Sequence, residues 1–355
     1  MSERIRGRGA AINPEGRYIR QRHEAEDDGW FVQGEPAEPP RTTVTEERAR
    51  SILSHNDSPD LPFSQSLNAY RGCEHGCSYC FARPSHSYLE LSPGLDFETK
   101  LFAKTNAAEQ LRKELAKPGY QVNAIALGTN TDPYQPIERR YRITRAVIEL
   151  LAECGHPFSI VTKNALVERD LDLLVPLAAR NLVKVFFSVT TLDNRLAARM
   201  EPRASAPHRR IVAIRNLSAV GVPTGVMFAP VIPMLNDPEL EAVLEACRDA
   251  GATSAGYVLL RLPHELKELF RDWLALHYPQ RAAHVMSLMQ QLHGGRDYNP
   301  SFGQRQTGNG PFAQLIARRF RLAHQRLGYD GGRDRRLDHT QFLPPRAPSP
   351  QGELF

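Results

Sequence analysis

The alternation of short apolar segments with amphipathic segments, from about residue 64 to residue 278, is the strongest constraint on the fold. Such alternation predicts repeated strand–helix units and a parallel sheet. The predicted strands cover residues 67–71, 124–127, 158–161, 183–189, 224–228 and 256–260. The predicted helices cover residues 107–116, 144–154, 170–179, 207–220, 237–250 and 264–276. Six units fall short of the eight that close a TIM barrel, so we expect an α/β fold built on an open, partial (βα)6 TIM-like barrel.

Two segments flank this region. Residues 1–63 hold few apolar side chains and the Pro-rich stretch GEPAEPPRTT, which predicts an irregular N-terminal arm. Residues 279–355 carry two further helical patterns, near 281–292 and 311–327, and an Arg-rich tail. We therefore expect three parts, namely the arm at 1–63, the barrel at 64–278 and a C-terminal helical extension at 279–355.

The composition and charge limit the location and the partners. The N-terminus MSERIRGRGA lacks the apolar core of a secretory signal, and no apolar run is long enough to span a bilayer. We therefore expect a cytoplasmic protein that does not insert into a membrane. The formal net charge is +5, and 38 of the 45 basic residues are Arg. Arg suits phosphate recognition, so a nucleic-acid partner is permitted but not required. The sequence predicts no oligomeric state.

Three of the five cysteines lie within eight positions, in the stretch CEHGCSYC that runs from Cys73 through Cys77 to Cys80. This clustering and the odd number of cysteines argue against a disulfide framework. Three thiolates are suitable ligands for an iron–sulfur cluster or for zinc. Gly72 and Gly76 give the loop the backbone freedom to fold back around one group. Three thiols on a [4Fe–4S] cluster would leave one iron open to a non-protein ligand.

A structural zinc site is the alternative, with His75 or His86 as the fourth ligand. Structural zinc sites more often use paired Cys-x-x-Cys units, which this sequence lacks. In this alternative the chain is a zinc-stabilised, non-enzymatic nucleic-acid-binding protein. The remaining cysteines, Cys154 and Cys247, lie on apolar helical stripes and are predicted to be core residues.

The motif C-x-x-x-C-x-aromatic-C, placed after a first strand and before repeated βα units, resembles the radical S-adenosylmethionine (SAM) superfamily. The stretches NAYRGCEHGCSYCFAR, ALGTNTDPYQPIE, FFSVTT and MEPRASAP resemble its spore photoproduct lyase-like branch, and the two ends of the chain resemble one uncharacterised subfamily. The resemblance implies a [4Fe–4S] cluster and SAM as cofactors. It also implies reductive cleavage of SAM to a 5′-deoxyadenosyl radical, in a lyase- or transferase-like reaction. An electron donor such as flavodoxin or ferredoxin is then expected.

The resemblance also implies cofactor-binding residues. Tyr79 matches an aromatic residue near the adenine, and Phe81 matches one that flanks the cluster loop. Thr131 and Asp132 follow the second strand, where the methionine end of SAM binds. The residues-only interpretation of this segment is a simple turn.

Further candidates follow the next two strands. Lys163 would pair with the SAM carboxylate, and Ser188 and Thr190 would meet the ribose or the amino group. Glu201 and Arg203 resemble a polar pair beside the cofactor. From the residues alone, Lys163 is equally a surface cation and the EPR stretch a salt-bridged helix start.

The resemblance to this branch implies a nucleic-acid substrate, with a peptide, a protein or a small metabolite as alternatives. Spore photoproduct lyase carries a hydrogen-donating cysteine just after its second strand, and the matching position here is Thr129. This departure argues against thymine-dimer repair.

Overall fold

The computed structural model describes residues 5–18, 41–329 and 336–345. It contains a seven-stranded sheet and a separate three-stranded sheet. The strands are β1 (Thr43–Glu47), β2 (Leu53–His55), β3 (Gln65–Leu67), β4 (Tyr70–Arg71), β5 (Lys100–Lys104), β6 (Ile125–Leu127), β7 (Phe158–Thr162), β8 (Val183–Ser188), β9 (Thr224–Val231) and β10 (Ser254–Leu259). The large sheet has the order β10-β9-β8-β7-β6-β3-β2. Six of its strands are parallel and follow one another in chain order, which confirms the predicted α/β class.

The helices lie between and after these strands. They are α1 (Asp96–Thr99), α2 (Ala107–Leu115), α3 (Glu138–Tyr141), α4 (Ile143–Glu153), α5 (Leu171–Ala179), α6 (Asn194–Met200), α7 (Pro207–Ala219), α8 (Leu240–Asp249), α9 (Leu266–His277), α10 (Pro279–Leu292) and α11 (Gly310–Arg326). Helices α2 and α4 contact each other, as do α4 with α5 and α7 with α8. Cys154 and Cys247 are both buried in the core, as predicted.

The segment predicted as one first strand, residues 67–71, is divided between the two sheets. Strand β3 ends at Leu67, and β4 pairs with β5 in the small sheet. The chain leaves the large sheet at Asn68, whose side-chain oxygen accepts hydrogen bonds from the backbone N–H groups of Asn130 and Thr131. These bonds hold Asn68 to the loop that follows β6, at the point where the chain leaves the large sheet.

The N-terminal arm is more regular than expected, because residues 41–63 contain two strands. Strand β1 pairs with β5 in parallel, and β2 forms the antiparallel edge of the large sheet beside β3. Ile52 and Leu53 are buried in the core. This short apolar pair attaches the segment to the barrel, although the arm as a whole holds few apolar side chains. Most of the GEPAEPPRTT stretch lies outside the described residues.

The C-terminal extension contains the two predicted helices, α10 and α11. Residues 336–345 lie against the amino ends of the central strands, where the Leu343 N–H donates to the Cys154 carbonyl and the Asp338 N–H to the Asn181 carbonyl. Much of the Arg-rich tail lies outside the described residues, and the predicted part boundaries stay predictions. Among the described residues, no helix has the length and apolarity that crossing a membrane requires.

Candidate active site at the carboxyl edge of the sheet

The cysteine loop follows β4 and lies at the edge where the parallel strands end. Gly72 and Gly76 have φ angles of +74° and +65°, in the left-handed region that favours glycine. The Cys73 N–H donates to the Phe97 carbonyl at 2.9 Å. Cys73 and Cys77 are buried, and Cys80 is half-buried. Two glycine turns and a neighbouring helix thus fix the course of the loop.

The three thiols suit an iron–sulfur cluster by chemistry and environment. They are free, and Cys80 packs against the cluster that contains Cys73 and against the core that contains Cys77. Burial and the nearby Asp132 carboxylate raise the pKa of Cys73 well above its usual value. Burial raises the pKa of Cys77 to about 12, although the nearby Lys163 opposes this effect. The raised pKa keeps the Cys73 and Cys77 thiols protonated without metal, and they would release their protons on binding one. Among the described residues no three His, Cys, Asp or Glu side chains converge on one point suited to a single metal ion.

Neither histidine of the zinc alternative joins the cysteines in such a group. His75 is buried between Asp132, with Nδ1 3.4 Å from the carboxylate, and Asn164, with Nε2 3.3 Å from the amide nitrogen. His86 binds the Lys100 carbonyl through Nε2. His75 therefore supports the loop from the strand-end side.

Glu201 is the centre of a buried hydrogen-bond network at this edge. Its carboxylate accepts from the Tyr79 hydroxyl, from the Thr190 hydroxyl at 2.6 Å and from the Arg210 guanidinium. Arg210 also donates to the Ser188 carbonyl at 2.9 Å. Burial favours the neutral acid, but Arg210 and Lys163 outweigh it and lower the pKa of Glu201. The network therefore holds a buried carboxylate in its charged form.

Lys163 and Asp132 meet at the end of β7. The Lys163 N–H donates to Asp132 Oδ2 at 2.7 Å, and the Thr162 hydroxyl donates to Oδ1 at 2.7 Å. Burial would raise the pKa of Asp132, but His75 and these donors bring it down to about 2. The Lys163 ammonium lies 5.8 Å from the centre of the Tyr79 ring, and its pKa is raised by Cys77 and Glu201 against the effect of burial. A cation thus stands beside the cysteine loop.

Several of the predicted cofactor-binding residues lie together in the structure, and others make contacts elsewhere. Tyr79 lies within the loop, and Asp132, Lys163, Thr190 and Glu201 lie around it in the contacts described above. The backbone carbonyl of Ser188 accepts from the same network. The Thr131 hydroxyl donates to the Tyr70 carbonyl at 3.1 Å, at the end of β4.

Glu201 and Arg203 do not pair with each other. Glu201 binds Arg210, whereas Arg203 reaches Glu74 in the cysteine loop at 2.9 Å. Phe81 lies at the rim with an exposed fraction of 42%, and the Arg261 guanidinium is 4.3 Å from its ring centre. Glu201 and Arg203 thus belong to two separate ion pairs, and α7 contributes the fully buried Arg210 as the partner of Glu201.

Sequence reasoning missed most of the supporting residues. Those that contact the loop or its ligand-facing residues are His75, Asn164, Arg210, Glu74, Gln135, Arg83, Glu98 and Arg261. Only one carried a usable signal, because Arg210 falls on the apolar face of a predicted helix, where an arginine requires a buried partner.

Residues 67–247 match the family described as the radical SAM superfamily. The chain belongs to this superfamily and is a radical SAM enzyme. Membership implies SAM, an iron–sulfur cluster and a reductant. An uncharacterised protein of Mycobacterium tuberculosis is 40% identical over 265 residues, which cover 74% of this chain and 76% of that protein. An uncharacterised protein of Acidianus two-tailed virus is 28% identical over 201 residues, covering 54% and 65%.

Solved structures of spore photoproduct lyase are similar in fold. The lyase complexed with dinucleoside spore photoproduct superposes with a TM-score of 0.58 at 14% identity, covering 84% of this chain and 85% of that chain. A mutant lyase with bound AdoMet and the same dinucleoside gives a TM-score of 0.56 at 15% identity, covering 80% and 78%. This likeness confirms the predicted barrel type and its helical C-terminal region.

Proposed function

We propose that the chain binds a [4Fe–4S] cluster through Cys73, Cys77 and Cys80 and reductively cleaves SAM to methionine and a 5′-deoxyadenosyl radical. When bound, the cluster supplies the electron for this cleavage, and a flavodoxin or ferredoxin supplies it to the cluster. The observation that carries the proposal is the set of three free thiols on a glycine-shaped loop, with the half-buried Lys163 ammonium 5.8 Å from the ring centre of Tyr79 in that loop.

The chain's own residues position SAM in this proposal. Lys163 attracts the carboxylate of SAM, since opposite charges attract more strongly at a partly desolvated position than in bulk water. Tyr79 presents its ring from within the loop, and its hydroxyl donates a hydrogen bond to Glu201. The Asp132 carboxylate, which accepts from backbone and side chains, keeps the end of β7 in place. Buried groups already bonded to one another need little rearrangement when a ligand arrives.

We propose a nucleic-acid substrate, and exposed aromatic side chains beside arginines support this class. Tyr18 and Tyr88 stack with ring centres 5.1 Å apart, and the Arg17 guanidinium lies 5.4 Å from the Tyr18 ring centre. Phe81 pairs with Arg261 in the same way. All three aromatic side chains are exposed, with fractions from 42% to 67%. Exposed rings beside arginines are a typical surface for stacking unpaired bases.

The hydrogen donor differs from that of a cysteine-dependent repair enzyme. The Thr129 hydroxyl accepts a hydrogen bond from the Asn68 amide at 3.0 Å. Outside the loop, the only cysteines of the chain are Cys154 and Cys247, whose exposed fractions are 2% and 0%. We therefore propose a nucleic-acid modification that does not use a thiol as hydrogen donor.

Salt-dependent binding tests the substrate class. Fluorescence anisotropy would compare single-stranded DNA, RNA and duplex DNA at 50 and 200 mM salt. We expect affinity to fall steeply with salt, because phosphate contacts release counterions. We expect the Phe81→Leu/Tyr88→Leu double variant to bind single strands at least about fivefold more weakly. Leu322→Ala, at an exposed position on α11, is the control. Weak binding without a salt dependence would exclude nucleic acid and leave the cleavage of SAM as a separate question.

A further inference from the structure

A segment far from the cysteines in sequence lies directly against their loop. The Gly9 and Ala10 N–H groups donate to the two Glu98 carboxylate oxygens at 3.0 and 2.8 Å. A Cβ on Gly9 would lie 1.6 Å from the Gly76 carbonyl oxygen, so only glycine fits there. The segment therefore touches the cysteine loop at its own glycine turn.

Glu98 connects this segment to the loop through a second residue. Its buried carboxylate also pairs with Arg83, whose guanidinium donates to the Cys77 carbonyl at 2.8 Å. The Glu98–Arg83 ion pair thus accepts hydrogen bonds from two N–H groups of the N-terminal segment. It also donates one to the backbone carbonyl of Cys77, a predicted cluster ligand. A buried charged group of this kind needs all of its partners, since a lost partner leaves the charge uncompensated.

A second attachment lies one turn further along. The Asn13 amide donates to Asp96 at 3.1 Å and accepts from the Asp96 N–H at 3.1 Å. Asp96 begins α1, and the next residue, Phe97, accepts the Cys73 N–H. A Cβ on Gly94 would lie 2.2 Å from the Ile12 carbonyl oxygen, which shows how closely the two segments approach.

We propose that residues 8–14 form a strap that holds the cysteine loop in its ligand-binding shape, with Glu98 as the positioning residue. The strap lies outside residues 67–247, the part that matches the superfamily. The loop of this chain therefore depends on a segment that the superfamily region does not contain. Release of the strap should expose the loop thiols without unfolding the barrel.

Alkylation of the cluster-free protein tests the strap without any enzyme assay. Iodoacetamide labelling at each cysteine would be followed by mass spectrometry, with core Cys247 as the internal reference. We expect Gly9→Ala to accelerate labelling of Cys73 and Cys77 about tenfold, since the loop opens more often. Labelling of Cys247 should stay at the wild-type rate.

Three variants serve as comparisons. Gly7→Ala strains the same segment at a φ of +74° but meets no atom within 4 Å, so its effect should be small. Asn13→Ala removes only the second attachment and should give an intermediate acceleration. Glu98→Gln should accelerate labelling, whereas Glu109→Gln, at an exposed ion pair, should not.

Two outcomes decide the matter. Wild-type labelling rates for the loop thiols in both Gly9→Ala and Asn13→Ala would overturn the strap. If Gly9→Ala also exposes Cys247, the barrel has unfolded, and the milder Asn13→Ala variant alone decides. After reconstitution, the same variants should lose cluster absorbance faster in air, in the same order.

Discussion

The two ends of the parallel sheet are stabilised in different ways. The carboxyl end, around the cysteine loop, contains the buried ion pairs Glu201–Arg210 and Glu98–Arg83. The amino end is covered by residues 336–345, where Phe342 packs against the rings of Tyr120 and His156 at 5.5 and 5.2 Å between centres. One end thus depends on paired charges and the other largely on uncharged ring packing.

This difference between charged and uncharged contacts indicates the structural role of each end of the sheet. Burying two charges costs about as much desolvation energy as their attraction returns, so apolar packing would stabilise a fold equally well. Charged groups at the carboxyl end are better explained by the need to hold loop and strand ends in a fixed polar arrangement. At the amino end the core needs only to be covered, and packing of aromatic rings does this without burying charged groups.

The largest effect is expected at the Glu201–Arg210 pair. Arg210→Met leaves the Glu201 carboxylate buried without its cation, which should lower the free energy of unfolding by about 3–5 kcal/mol. Urea denaturation of the cluster-free protein would measure the loss. The double variant Glu201→Gln/Arg210→Met should recover part of it. Glu153→Gln, at the exposed Arg112–Glu153 pair, should cost less than about 1 kcal/mol. Equal losses of unfolding free energy in Arg210→Met and Glu153→Gln would contradict the distinction between the buried and the exposed ion pair.

The next effect concerns pH at the amino end. Burial lowers the pKa of His156 to about 4, from 6.5 in the unfolded chain. Because the unfolded state binds the proton more readily, stability from His156 is complete above pH 6.5 and is lost as the pH falls towards 4. The full loss is about 3 kcal/mol. Denaturation curves at several pH values should show a shallower decline in His156→Gln. An unchanged decline would mean that other groups dominate.

Packing at the amino end should matter somewhat less. Phe342→Ala removes a half-buried ring and should cost about 2 kcal/mol, below the range for a fully buried ring. Leu343→Ala, with an exposed fraction of 71%, should cost less than about 0.5 kcal/mol. SAM cleavage should be the same in both variants. A loss of cleavage in Phe342→Ala would show that the two ends are coupled.

The smallest effect is expected for a ligand contact at the carboxyl end. Lys163→Met should weaken SAM binding by the reconstituted enzyme about tenfold, or about 1.4 kcal/mol, because a half-buried cation is lost. Calorimetry would measure this, with Lys113→Met on the exposed face of α2 as the control. Wild-type affinity would remove Lys163 from the SAM site.

Much of the fold could be predicted because periodicity is a local property. The strand at 183–189 and the helix at 207–220 were predicted to within one residue at each end. The break at Asn68 could not be predicted, because its cause is a side chain that binds a loop about 60 residues later. Strand β1 was missed for the same reason, since it pairs with the distant β5. Strand β2 pairs locally with β3, but it has only three residues and gives a weak periodic signal.

The candidate site was predictable where a motif or a strand end marked it. The cysteines stand out in the sequence as a motif, whereas Lys163 was singled out by its position after a strand and by the resemblance. The structure places the Lys163 ammonium 5.8 Å from the ring centre of Tyr79, which lies in the cysteine loop. The partner of Glu201 could not be found, because Arg203 is nearer in sequence while Arg210 is nearer in space. The requirement for glycine at position 9 could not be predicted from neighbouring residues, since the atom that leaves no room for a side chain is the carbonyl oxygen of the distant Gly76.

Anaerobic reconstitution with iron and sulfide, followed by dithionite and SAM, tests the central claim most directly. We predict about four iron and four sulfide per chain, an electron paramagnetic resonance signal on reduction, and release of 5′-deoxyadenosine. Cys77→Ala should abolish that release while circular dichroism shows an intact barrel. Colourless protein after reconstitution, or 5′-deoxyadenosine from Cys77→Ala at the wild-type rate, would contradict the account.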